Sequence, residues 1–230
     1  MAENRAVITG GSSGLGFALA EALVARGVAV TILARDERRV RDAVERLRGT
    51  GADAHGIPCD VSRESQARAA FDEVAEMGPL GLLVNAAGVG RFGRIEDLTE
   101  TLIDDVLAAN LKGLMLATSA ALPPLRANGG TVVSVLSSAA LVGRAEESAY
   151  CAAKWGGRGF MEALRVALKD TTVRTLTVYP GGMRTAFWSP TTGRTPDLTD
   201  YMDPRDVARQ ILRVALDPGA AHVTEMTISR

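Results

Sequence analysis

The sequence predicts an α/β fold: a doubly wound parallel sheet of about seven strands with helices on both faces. Three observations predict it. Short β-branched runs alternate with longer amphipathic segments along the chain, the pattern of successive βαβ units. A glycine cluster separates the first strand-like run from the first helix-like run. Aromatic residues are few, at 4%, while Ala, Gly, Val, Leu and Arg are plentiful, which suits a parallel sheet better than a β-sandwich. The 230 residues fit one large α/β domain or two small ones, and 47% hydrophobic residues supply a sizeable core. No linker, repeat or low-complexity tract breaks the pattern, so a single domain over residues 1–230 is expected.

The elements follow in order. Arg5–Thr9 (RAVIT) reads as a buried strand, and after the glycines Phe17–Arg26 carries apolar residues at helical spacing. Val28–Ala34 is the second strand. Asp36–Gly49 is a charged surface helix stopped by Gly49 and Gly51. Ala54–Pro58 is a weaker strand, and Ser62–Met77 a helix opened by Ser62 as N-cap. Leu80–Ala86 is the fourth strand. A long helix is expected from Glu100 to Leu122, ended by Pro123 and Pro124. Thr131–Ser137 is a strand, Tyr150–Leu168 a helix, and Val173–Tyr179 a strand ended by Pro-Gly-Gly. A loop at about 182–203 precedes a helix over Pro204–Leu216, and His222–Ser229 closes as the seventh strand.

Composition narrows the function classes. The net charge of −1 argues against a nucleic-acid partner held by a basic face and against a polybasic membrane contact. Cys59 and Cys151 are far apart and the two histidines, His55 and His222, are isolated, so neither a metal cluster nor a His-based triad is expected. The first apolar run starts at Ala6, leaving no room for a signal peptide, and no uncharged apolar run reaches the ~18 residues of a membrane span. A soluble cytoplasmic protein acting on a small molecule is expected.

Thr9–Gly16 (TGGSSGLG) spaces its glycines as Gly10, Gly14 and Gly16. Glycine permits positive φ and a close backbone approach, and a helix N-terminus offers free N–H groups to phosphate. Gly10 would make the turn, Gly14 would admit the pyrophosphate and Gly16 would let the helix pack on the strand, with Ser12, Ser13 and Leu15 completing the phosphate contacts. After the first strand of a βαβ unit this reads as a nucleotide turn rather than a glycine-rich turn with no ligand; a P-loop would need Gly-Lys-Ser/Thr where Gly16 is followed by Phe17. A carboxylate ending the second strand would accept from an adenosine ribose; here Ala34 is followed by Arg35, which suits a 2′-phosphate. NADP(H) is therefore preferred over NAD(H), with Asp36 as ribose ligand in the other reading.

Tyr150 and Lys154 stand one helical turn apart and share a face. A neighbouring ammonium lowers a phenol's pKa, so the pair suits proton exchange with a substrate oxygen. Cys151, Ala152 and Ala153 between them leave room for a cofactor. Ser137 ends the fifth strand, where a hydroxyl could hold a carbonyl oxygen. Asn85, Ala86, Ala87 and Gly88 end the fourth strand with small side chains, and Asn110 lies inside the long helix.

Together these segments resemble the short-chain dehydrogenase/reductase family in its small single-domain branch, from Val7 to about Thr185. The glycine turn, NAAG, Asn110, the serine and YxxxK fall in the family's order, and Ser137 precedes Tyr150 by the family's interval. The resemblance implies a homo-oligomeric NADP(H)-dependent oxidoreductase reducing a carbonyl, in particular a ketone, or running the reverse reaction. It implies Tyr150 as general acid, Lys154 as ribose ligand and depressor of the Tyr150 pKa, Ser137 as carbonyl holder and Asn110 as the anchor of a proton-relay water. It places Asp60 and Val61 at the adenine, and Pro180, Gly181 and Thr185 at the nicotinamide.

Candidate substrate residues are Phe92, Arg144 to Glu147, Phe187 and Trp188, with Tyr201 in the same loop; the aromatic pair suits an apolar or ring-containing ketone or packs as a lid on itself. The loop is short for the family and implies a fairly open pocket. A 3-oxoacyl-thioester reductase is the second reading, weakened by Arg91 and Phe92. The rival of another class is a non-catalytic NADP(H)-sensing protein; such proteins usually lose the tyrosine or lysine that this chain keeps. A homodimer or homotetramer through Leu111–Leu122 and the helix carrying Trp155, Phe160 and Leu164 is the expectation the resemblance adds, although these stripes equally suit core packing.

Overall fold

The computed structural model describes residues 5–217, 219 and 221–230. Seven parallel strands form one sheet in the order β3-β2-β1-β4-β5-β6-β7. They are β1 Arg5–Thr9, β2 Val30–Ala34, β3 Ala54–Pro58, β4 Leu80–Asn85, β5 Gly130–Val135, β6 Val173–Pro180 and β7 Glu225–Ile228. Between them run α1 Gly14–Val24, α2 Glu37–Arg48, α3 Glu64–Glu76, α4 Glu100–Leu107, α5 Gly113–Asn128, α6 Ser148–Ala167 and α7 Pro204–Ala215. The expected fold class is the observed one.

Alternation along each strand divides the core. Ala6, Ile8, Val30 and Ile32 face α1, α2 and α7, whereas Val7, Leu33 and Leu83 face α3, α5 and α6. The central strands β1, β2 and β4 are apolar on both faces because helices cover both, whereas the edge strands β3 and β7 are only partly buried. The helices obey the same logic. α2 buries Val40, Ala43, Val44 and Leu47 at helical spacing, with Asp36 accepting the Arg39 amide at its N-terminus. α7 begins with Pro204 behind Asp203, which caps the Arg205 amide at 2.8 Å.

Several expected boundaries shift for physical reasons. α1 starts at Gly14 rather than Phe17: the glycines themselves make its first turn, closed by the Phe17 amide on the Ser13 carbonyl at 3.1 Å. Ser62 is not the N-cap of α3; its hydroxyl donates to Asp60 and Arg63 holds the cap position. Pro123 and Pro124 do not end the long helix, which continues to Asn128. Leu125, fully buried beyond the prolines, anchors that extra turn in the core, and packing outweighs the lost hydrogen bonds. The same helix, Glu100–Asn128, is long and apolar enough by composition to cross a membrane, but its apolar face lies on β4 and β5. The last strand is shorter than expected, Glu225–Ile228.

Away from the strands' carboxyl ends, Arg5 is buried, 5% exposed, and pairs with Asp53 at 2.8 Å. Its other donors reach the Val30 carbonyl and Thr31 only at 3.4 Å. Removing the Asp53 charge leaves a buried guanidinium short of its anion. Asp53→Asn is expected to lower unfolding stability by about 1–3 kcal/mol. Glu64→Gln, which breaks an exposed pair with Arg68, is expected to change it by less than about 1 kcal/mol. Urea titration of both variants checks the contrast.

Candidate active site

β1 lies mid-sheet, and the chain leaves it in one direction to β2 and β3 before returning to its other side at β4. Such a switch point opens a crevice at the strands' carboxyl ends. A cavity of about 830 Å³ occupies that position.

The glycine turn forms one side. Gly10 and Gly14 have φ of 68° and 54°, in the left-handed region that glycine favours. A Cβ on Gly16 would stand 2.3 Å from the Gly10 carbonyl oxygen, and one on Gly10 would stand 2.8 Å from the Ala87 backbone. The turn is thus pressed onto the exit of β4, where the Thr9 hydroxyl accepts the Ala86 and Ala87 amides at 3.2 Å. Ser13 occupies the N-cap of α1 with no side-chain hydrogen bond, so the first amides of the helix are not capped from within. Ser12, Ser13, Gly14 and Leu15 line the cavity beside this helix end. Together they make a cradle for a pyrophosphate, and the residues present fit a dinucleotide.

Arg35 is exposed at the cavity rim just past β2. Arg39, which the sequence reading missed, lines the same rim one helical turn on. Asp36 is already engaged: its Oδ1 accepts the Arg39 amide at 3.0 Å as the cap of α2. Asp60 and Val61 line the cavity after β3, with Asp60 Oδ1 held by the Ser62 amide and hydroxyl. Ala86, Ala87 and Gly88 continue the wall, as do Pro180, Gly181 and Thr185 from β6. Asn85 does not. Its side chain turns into the core and donates to Thr118 at 2.9 Å and Ser134 at 3.3 Å, bracing β4 against α5 and β5. The motif read from sequence hid this, because alternation along β4 places Asn85 on the other side from its neighbour.

The candidate catalytic residues converge on the opposite wall. Ser137, Tyr150, Lys154 and Asn110 all line the cavity. Lys154 is 4% exposed, its Nζ lies 5.4 Å from the Tyr150 ring centroid, and it donates to the Val135 carbonyl at 3.5 Å. Asn110 sits in a π-helical turn, Ala108–Lys112, between α4 and α5. Its amide donates to the carbonyls of Val106 and Val89, and its Oδ1 has no hydrogen-bond partner among the described residues. A Cβ on Gly88 would meet this oxygen at 2.6 Å and Lys154 Nζ at 3.6 Å, so both polar groups crowd the same glycine.

Burial dominates the electrostatics here. It pulls Lys154 down to about 8 and pushes the Tyr150 phenol well above its usual range. Ser137 lowers Tyr150 somewhat, Glu147 raises it and Arg144 lowers it. The expected depression of Tyr150 by Lys154 is not met: the ammonium stands on the ring side, and desolvation of the phenol is the larger effect.

The pocket over Tyr150 is not open either. Phe92 meets the tyrosine edge-on at 5.5 Å, and Phe187 lies 6.0 Å from it. Trp188 packs on Phe187, Phe92 and Tyr201, and its indole N–H donates to the Met183 carbonyl at 3.1 Å. Tyr150 is left only 8% exposed. Phe187 and Trp188 therefore do both things the sequence allowed, packing on each other and lining the cavity. Arg144 lines it too, donating to the Ser138 hydroxyl at 2.8 Å. On the expected oligomer faces, Leu164 and Ala117 are core residues, whereas Met115 and Trp155 are exposed.

Comparison with known proteins places this geometry. The short chain dehydrogenase family model matches residues 4–194. The chain is 31% identical over 218 residues to carbonyl reductase family member 4 of Danio rerio, covering 93% of this chain and 91% of that one. An alcohol dehydrogenase of the archaeon Thermococcus sibiricus, solved with 5-hydroxy-NADP, superposes with a TM-score of 0.89 at 26% identity over 98% of this chain and 95% of that one. The actinorhodin polyketide ketoreductase, solved with NADPH, superposes with a TM-score of 0.90 at 28% identity, over 98% of this chain and 95% of that one.

The lowered Lys154 pKa has a measurable sign. In the window from about 8 up to the unfolded value, the unfolded chain binds the proton and the folded chain does not, so stability rises with pH. Below that window the folded chain carries a buried ammonium at a cost. Lys154→Met is expected to be more stable than the parent at pH 7, by on the order of 3 kcal/mol. The difference should shrink toward zero by about pH 10.5. Melting temperatures of both proteins across this range check it.

Proposed function

The chain belongs to the short-chain dehydrogenase family, and from that premise we propose that it is an NADP(H)-dependent reductase of ketones that uses Tyr150 as its proton donor. As a member of the family it is an oxidoreductase that works with a nicotinamide cofactor on a small molecule. The observation that carries the finer reading is the convergence of Ser137, Tyr150 and Lys154 on a cavity whose other side is the glycine cradle. A sensor protein has no need of that convergence.

The residues that would hold the cofactor divide by chemistry. The amides at the start of α1 suit the pyrophosphate, and Asp60 with Val61 suits the adenine. Arg35 and Arg39 suit a 2′-phosphate, which a planar guanidinium grips through paired hydrogen bonds. Asp36 is a poor ribose acceptor because it already caps α2. The structural neighbours solved with NADPH and 5-hydroxy-NADP support the same preference. When bound, the reduced cofactor supplies a hydride to the carbonyl carbon.

The chain's own groups handle the oxygen. Ser137 donates to the carbonyl oxygen and fixes its direction. Tyr150 gives that oxygen its proton. Burial keeps the phenol protonated at neutral pH, which is the form reduction needs. Lys154 meets the ribose hydroxyls, and the unpaired Asn110 Oδ1 offers a water a place from which Lys154 and Tyr150 are reprotonated. Phe92, Phe187 and Trp188 give the substrate an apolar, ring-sized slot and exclude bulk water from the proton transfer.

Three outcomes are expected, all read as loss or gain of reduced-nicotinamide absorbance with a panel of ketones, aldehydes and quinones. Tyr150→Phe should lose roughly 10²–10⁴-fold in kcat while still binding NADPH. Arg35→Ala should weaken NADPH far more than NADH, and a parent that prefers NADH overturns the 2′-phosphate assignment. Reduction should hold steady through neutral pH and decline in alkali, whereas alcohol oxidation, which needs the phenolate, should climb with pH.

A further inference from the structure

Glu147 is 4% exposed, three residues before Tyr150 at the N-cap of α6. A carboxylate at a helix N-cap ordinarily accepts from the helix's own first amides. This one makes no such bond. It pairs instead with Arg194 of the substrate loop, Nη1 to Oε1 at 2.8 Å. The same guanidinium reaches Glu146 at 3.0 Å and the Ala145 carbonyl at 3.3 Å, and its Cζ lies 5.6 Å from the centre of the Phe92 ring.

Backbone bonds reinforce the junction. The Phe92 amide donates to the Thr192 carbonyl at 2.7 Å and the Gly93 amide to the Glu146 carbonyl at 2.8 Å. Gly193, with φ of 80°, lets the loop pass where a Cβ would stand 2.4 Å from the Phe92 carbonyl oxygen. Three segments far apart in sequence thus meet at one buried carboxylate beside the tyrosine.

We propose that Glu147 and Arg194 are positioning residues, an ion pair that fastens the substrate loop to the start of α6 and so holds Phe92 and Phe187 against Tyr150. Neither needs to touch the reacting atoms. A buried carboxylate is costly unless paired, so the pair forms only when the loop is down, and the loop's closed position is selected by the carboxylate at the N-cap of α6. The kinetic part of this proposal rests on the assignment of Tyr150 above; the conformational part does not.

The test starts from Trp155→Phe, which removes an exposed tryptophan and leaves Trp188, in the cover, as the chain's one remaining indole. Acrylamide quenching of Trp188 then reports loop opening without any substrate. In this background Arg194→Met and Glu147→Gln are expected to raise the quenching constant roughly twofold or more, and Arg194→Lys to recover most of the change. With the panel carbonyl turned over fastest, Arg194→Met should raise KM about tenfold and leave kcat within about threefold, with NADPH affinity unchanged. Quenching unchanged in both charge-removing variants overturns the proposal, with or without a turned-over carbonyl. So does a fall in kcat at unchanged KM, which would mean that Arg194 acts on the tyrosine's charge and not on the cover. Should Arg194→Met fail to fold, Glu147→Gln, close in shape to the parent, decides on the same readouts. If Tyr150→Phe kept full turnover, the proton-donor reading would fall while the quenching result stood.

Discussion

The contact on which the rest of the structure depends is the closure of Gly16 on the carbonyl of Gly10. A Cβ at Gly16 would stand 2.3 Å from that oxygen, well inside any tolerable separation. With hydrogen there, α1 begins as β1 ends, and its free amides face the crevice. β1 is mid-sheet, so every other strand end is placed relative to this turn. Gly10 presses on Ala87 and so sets the exit of β4; Gly14 packs near Thr185 and so sets the exit of β6. One backbone contact therefore aligns both halves of the cavity, the cradle for the phosphates and the wall that carries the tyrosine.

The second constraint is desolvation. The wall opposite the cradle holds a phenol and an ammonium that are both nearly out of water. Burial drives both toward their neutral forms, Lys154 to about 8 and Tyr150 in the opposite direction. The neutral phenol and the ammonium thus stand side by side at the cavity wall, both shifted by the loss of water around them. The arrangement is held by residues that perform no chemistry. Asn85 braces β4 against α5 and β5, and the π-turn at Asn110 turns an amide oxygen toward Gly88 and Lys154. Above them lie the rings of Phe92, Phe187 and Trp188, and the buried Glu147 pairs with Arg194 where the loop of Phe187 and Trp188 meets the start of α6.

These observations separate what could be read from the chain from what could not. The alternation of strand and helix runs, the glycine spacing and the Tyr150–Lys154 interval are local patterns, and each follows from steric or periodic rules that act within a few residues. The helix continuing through Pro123 and Pro124 breaks such a rule, because Leu125 is anchored by partners on other elements. Asn85 was grouped with Ala86–Gly88 by sequence and separated from them by the pleat of its strand. The depressed tyrosine expected from spacing alone gave way to burial, which no interval of residues reports.

By itself, then, the sequence determined the doubly wound sheet, the glycine turn and, Asn85 and Arg39 apart, which residues line the crevice at the strands' carboxyl ends, because short-range geometry and hydrophobic periodicity leave few other solutions. Only the tertiary structure decided that the pocket is covered, that Arg39 shares the rim with Arg35, and that Arg194 pairs with Glu147 across 47 residues of chain. Those features depend on which surfaces the packed sheet brings together and on how much water is left between them, and both are properties of the whole fold.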